Sequence, residues 1–253
     1  MSANNKRSLR HYFALMPQHM FMIAIAQLAI YSFVRGDIAM TRPRPLPELL
    51  QVVNPVMTYI SGTMFLIAVL FFYLKRHRAA ALATIANLIF WLVTSRHIFN
   101  LWRDHINGLK TLWLISGTIL ILTTLSNYKK QQKKVIWLNL IALVVFFVDC
   151  GIAHFGHADF VQSLVPGFIP FPLFFTYFTG ATLILGSIGL LIPQTRSIAA
   201  LLCGMQVLGW FLLLHIPRAI TLQGDEWIGV GESLAISGIC FMIYNLLTTE
   251  EIC

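Results

Sequence analysis

The chain has 253 residues, 57% of them hydrophobic and only 11% charged, with a formal net charge of +8 and a mean hydropathy of +0.74. Soluble domains carry about 25% charged residues, so the composition excludes an ordinary water-soluble globule and points to an all-α, polytopic integral membrane protein. The basic residues sit in loops between apolar blocks, which makes the lipid bilayer the expected partner and argues against nucleic acid.

An apolar run of about 20 residues is long enough to cross the hydrocarbon core as a helix. Eight such spans are predicted, at about 12–34, 55–74, 79–99, 109–127, 135–155, 171–192, 197–216 and 228–247. The first is interrupted by Pro17, His19 and Gln27, and Lys6, Arg7 and Arg10 precede it as they would in a signal peptide. No small-residue cleavage pattern closes that run, so it reads as a retained helix. "KRHR" parts the second and third spans, "NYKKQQKK" the fourth and fifth, and Pro193 with Arg196 the sixth and seventh. On this path 11 of the 18 basic residues, among them Lys75, Arg76, Lys133, Lys134 and Arg196, fall on the side of the N-terminus, and seven on the other. Basic loops favour the cytoplasm, so both termini are expected there, in a bacterial inner (plasma) membrane. Cys150, Cys203, Cys240 and Cys253 include no C-x-x-C pair, and Cys150 and Cys203 are expected at opposite ends of their spans. Thiol redox catalysis is therefore not the expected chemistry.

The chain also repeats itself. "YISG" at Tyr59–Gly62 matches "YFTG" at Tyr177–Gly180, Arg78 matches Arg196, and His97 matches His215, each 118 residues apart. "ISG" at Ile115–Gly117 recurs at Ile236–Gly238 with a separation of 121, and "YSFVRGDI" lies opposite "AHFGHADF", pairing Asp37 with Asp159. Four helices begin and end on one side of the membrane, so two copies run parallel. The expected organisation is a diverged repeat at 1–127, a basic cytoplasmic linker at 128–134 and a second repeat at 135–253, forming two four-helix bundles. Gly62, Gly117, Gly180, Gly186 and Gly238 suit close helix contact.

"GIAHF", the "LVPGFIP" loop, "YFTG" at the head of the next helix and "TR" at the following turn resemble the DoxX-like family of small bacterial membrane proteins, over about Lys134–Tyr244. The later "HIPRAI", "DEW" and "ESLAISG" resemble uncharacterised members. The resemblance implies a four-helix unit. The founding member is associated with a quinone-linked thiosulfate oxidoreductase, and others with redox or stress-related complexes. It brings no catalytic residues to this chain.

The candidate site is a polar cluster at the non-cytoplasmic end. Cys150, His154 and His157 follow a four-and-three spacing that puts them on one helix face, with Asp149 beside it. His97, His215, Arg96, Arg218, Asp225, Glu226 and Glu232 arrive at the same end from other spans. His154, His157, Asp149 and His215 could ligate a metal, and His154 with His215 a haem, but neither is expected. A quinone or lipid headgroup fits better, bound by Asp149, His154, His157, His215 and Arg218 with Tyr177 and Trp210 in the apolar wall. The competing reading is structural: histidines ending a helix at headgroup depth, and aromatics in the interfacial belt. Asp149 lies inside the span and needs a companion; Arg218 or His215 is the one expected, tying spans five and seven. "VQSLVPGFIPFP" is expected to lie in the interface, and Asn87 and Asn139 to hydrogen-bond across helices. The expected function is an accessory or small-ligand-binding subunit. The alternatives are a membrane subunit of a quinone-linked oxidoreductase and a transporter or scaffold for small hydrophobic compounds, with a membrane protein or a second copy as partner.

Overall fold

The computed structural model describes residues 3–36, 54–94, 105–125 and 129–248. Every regular element among them is helical. We number them α1 (Ala3–Arg35), α2 (Asn54–Tyr73), α3 (His77–Thr94), α4 (His105–Leu125), α5 (Lys129–Gly156), α6 (Ala158–Leu164), α7 (Pro172–Leu191), α8 (Arg196–Leu222) and α9 (Glu226–Thr248). Seven of these helices contain stretches long and apolar enough to cross a membrane; the apolar part of α3, His77–Val93, is shorter. The expected third span runs on past Thr94 into residues outside the described ones, as do Asp37, "TRPRPLPELL", Arg96 and His97.

Helices are the solution because lipid offers the backbone no hydrogen-bond partners. Hydroxyls inside the spans are satisfied the same way, within their own helix. Thr84 donates to the Ala80 carbonyl, Thr118 to Leu114 and Ser187 to Leu183.

Helices α1 to α5 each pack on the next, α5 packs on α7, α7 on α8, α8 on α9, and α9 closes on α1, while α4 touches α9 across the middle. The contacts fix alternating directions. Phe33, late in α1, stacks on Tyr59, early in α2, at 5.9 Å between ring centres. Phe155, late in α5, stacks on Tyr177, early in α7, at 5.6 Å. Ser61 of α2 accepts from the Trp91 indole late in α3. Inside the ring, Phe21, Phe65, Trp91, Trp113, Leu143 and Phe147 are fully buried. Outside it, Ile30, Leu70, Leu82, Ile141, Leu185 and Leu202 are more than half exposed, an apolar girdle that suits lipid and not water.

One end of the bundle gathers Lys75, Arg76, Arg78, Lys133, Lys134 and Arg196, and no described acid. Arg196 explains its own place there. Its Nε donates to the Leu190 carbonyl and its Nη2 to Leu191, closing the end of α7, and the guanidinium lies 4.3 Å from the Trp137 ring centre. Of the expected linker at 128–134, the part from Lys129 onward is helical and forms the first turns of α5, because "KKQQKK" continues the helix without a breaker. At the other end lie Lys110, Asp149, Asp159, Arg218, Asp225, Glu226 and Glu232. The proline-rich loop there also holds one short helix, α6, before α7 starts on Pro172 at its first turn.

Two glycines set the α5–α7 crossing. A Cβ on Gly180 would sit 2.8 Å from the His154 Cβ, and one on Gly151 would sit 3.0 Å from the Gly180 carbonyl oxygen. Only hydrogen at both positions lets the backbones come this close.

Candidate functional site

Helix α8 does not run evenly. Between Phe211 and His215 it widens into one π-turn, in which the Ile216 N–H reaches back five residues to the Phe211 carbonyl. Pro217 supplies the cause, since it has no N–H for a carbonyl in the preceding turn. Such turns recur at functional sites. Trp210, just before the turn, and His215, its last residue, both line a cavity of about 150 Å³.

The cavity lies at the acidic end between α4, α5, α8 and α9. Lys110, Phe146, Cys150, Asp225, Glu226, Glu232 and Ser233 complete most of its wall. Glu232 is 5% exposed and carries the main charge interaction, with its Oε2 accepting from Lys110 Nζ at 2.6 Å. The other oxygen, Oε1, is buried without a hydrogen-bond partner. His215 lies over Gly229, where a Cβ would fall 2.6 Å from the imidazole Nδ1, so the glycine makes room for the ring.

The remaining charges at this end are tied in pairs. Arg218 donates to both oxygens of Glu226, at 3.2 and 2.9 Å, across the turn from α8 to α9. Tyr31 of α1 donates to Asp225 at 2.7 Å, and Gln27 donates to the Trp227 carbonyl at 2.9 Å. These bonds hold α1 to the start of α9.

The expected cluster divides in two. Cys150 and His154 face α8: Cys150 lines the cavity, and the His154 ring stacks behind Trp210 at 5.9 Å with its Nδ1 hydrogen-bonded to the Cys150 carbonyl. Asp149 and His157 face α4, where they line a separate, shallower cleft of about 300 Å³ with His105. The expected tie from Asp149 to Arg218 or His215 is corrected. Asp149 pairs with His105 Nδ1 at 2.7 Å, and Arg218 pairs with Glu226. One step along a helix turns the side chain by about 100°, so Asp149 and Cys150 look toward different neighbours. Tyr177 does not reach the cavity either; it stacks on Phe155, and both rings are more than two-fifths exposed. Of the predicted residues, Trp210 and His215 line the cavity, His154 backs it, and Arg218 anchors its rim.

Sequence reasoning named Glu232 only as a late arrival and counted Lys110 only as a loop charge. The signal was present: each is an ionisable residue a turn or more inside an apolar helix.

A family model matches part of the chain. Described as a domain of unknown function, DUF8561, it aligns with residues 143–231. That stretch runs from α5 into the first turns of α9 and includes Cys150, His154, Trp210, His215 and Arg218, so the chain is similar to that family over most of one side of the cavity. No curated protein and no solved structure matches the chain.

Proposed function

We propose that this is a multi-pass membrane protein that binds a small ligand in the cavity between α4, α5, α8 and α9, acting as an accessory subunit and not as a self-sufficient enzyme. The observation that carries the reading is Glu232 Oε1: a buried carboxylate oxygen without a partner, on the wall of a cavity whose opposite side is shaped by an irregular helix. An unmet acceptor at such depth costs about 1–3 kcal/mol, a cost that a bound donor would offset. The space matches one six-membered ring or a small headgroup, since a cavity of about 150 Å³ holds benzene. A quinone-class molecule and a lipid head are both of that size at their polar ends.

The test is extraction in mild detergent followed by mass spectrometry of the small molecules retained. A defined compound should accompany the wild type and be lost from Glu232→Ala and Trp210→Ala. An empty wild-type preparation, or retention undiminished by either change, sinks the reading.

We further infer that the chain is a tandem, DoxX-like pair of four-helix units. Two observations support this. Phe33 and Phe155, aligned by the repeat, each stack on the matching Tyr59 or Tyr177. A Cβ on Gly62 would lie 3.0 Å from the Phe33 ring, and one on Gly180 would lie 3.1 Å from the Phe155 ring. On this reading α3 is a full crossing, the basic end faces the cytoplasm of a bacterial inner membrane, and the cavity opens toward the other side.

A further inference from the structure

The ligand's chemistry can be narrowed from the cavity wall, on the footing that the cavity is the binding site just proposed. Among the described residues, three carboxylates line it, those of Asp225, Glu226 and Glu232, with one lysine, Lys110. Arg218 meets Glu226 without lining the space, and Arg35 is exposed at the end of α1. Arg218 offsets Glu226 and Lys110 offsets Glu232, so the unmet demand is local: the second oxygen of Glu232, held in a wall of low dielectric where a polar group acts most strongly. Several nearby donors bond elsewhere. Ser233 donates to the Gly229 carbonyl, Tyr31 to Asp225, Arg218 to Glu226, and Lys110 to Glu232 Oε2. Nothing in the wall reaches Glu232 Oε1.

A group that meets Glu232 Oε1 must donate a hydrogen bond, and a carboxylate oxygen bonds most strongly to a donor that carries positive charge. A carbonyl-ended head offers only acceptors and would leave Glu232 Oε1 unmet. A bare metal ion is a poor match too, since among the described residues no three His, Cys, Asp or Glu side chains are disposed to share one. Trp210, backed by His154, adds an aromatic surface of the kind that attracts organic cations. We propose that the cavity takes an organic ammonium group on a small apolar body, with one N–H donated to Glu232 Oε1. A free amine and an aminophospholipid head both carry such an ammonium, and the chemistry at the wall is the same.

The test uses the full chain in nanodiscs of phosphatidylglycerol, which contain no amine. Binding of benzylammonium, benzyl alcohol and benzoate is measured by calorimetry. Benzylammonium should bind at least ~10-fold tighter than the alcohol, as a charge-assisted bond in place of a neutral one requires, with benzoate weakest. Glu232→Gln keeps the shape and removes the charge, and should bring the ammonium-to-alcohol ratio to about 1 in the same discs, which also subtracts attraction to the anionic surface. If that variant does not fold, Gly229→Ala, which drives His215 into the cavity, should abolish benzylammonium binding. Equal binding of all three probes overturns the ammonium assignment and leaves a small-ligand site standing; binding of none overturns both. A ratio unchanged in Glu232→Gln, or binding undiminished in Gly229→Ala, also overturns the assignment. Phosphatidylethanolamine added to the discs separates the sources: competition identifies a lipid head, and indifference identifies a free amine.

Discussion

The Lys110–Glu232 pair couples two helices that otherwise touch little, α4 and α9. Burying two charges is costly, and removing one partner is worse than removing both. Lys110→Met should therefore destabilise the protein by about 3–5 kcal/mol, and Lys110→Met with Glu232→Leu should recover most of it. Denaturant unfolding in micelles measures both; a double variant no better than the single would contradict the pairing. At this scale the sequence was partly readable. A deep Asp149 demanded a companion and has one, but in His105. Hydropathy marks which residues are inside a span and says little about which neighbour each one faces. That depends on the order of helices around the ring, which only the packing supplies.

Among the elements, α8 departs most from a uniform rod, and Pro217 was the visible sign. Pro217→Ala restores the missing N–H and should let the π-turn relax toward regular α-helix, turning Trp210 and His215 relative to each other. Ligand retention should fall while insertion and helical circular dichroism stay unchanged; retained binding would show that the turn is incidental. The α5–α7 crossing makes a second prediction. Gly180→Val must push apart His154 and the Gly151 backbone and should cost about 1–3 kcal/mol, seen as a lowered Tm. The glycine spacing was legible as close packing, because small residues in lipid have few other uses. The helical form of α6 and of the start of α5 was less legible: "VQSLVPGFIPFP" was expected only as a segment lying in the interface and the lysines as a linker, although neither "ADFVQSL" nor "KKQQKK" contains a breaker.

At the scale of the molecule, the division of charge between the two ends is the feature that apolar patterning and basic loops foretold most directly. It gives a prediction of orientation. A single reactive cysteine placed at Gln131, in a background without the native ones, should be labelled by an impermeant maleimide only after the membrane is opened; one at Ser163 should be labelled in intact cells. The reverse pattern would invert the topology and put the cavity on the cytoplasmic side. The exposed girdle of Ile30, Leu70, Ile141 and Leu202 was equally legible, since a chain this apolar cannot bury all of its oil.

Helix α9 has a consequence for assembly. The Arg196 clasp joins residues that all precede α9, Trp137, Leu190 and Leu191, and can form while the ribosome is still at work. The cavity cannot. It waits for Glu232 on α9, made after its other walls, which must then seat against α1. A chain stopped after Gln223 should therefore insert and keep its clasp, yet have no place for a guest to sit.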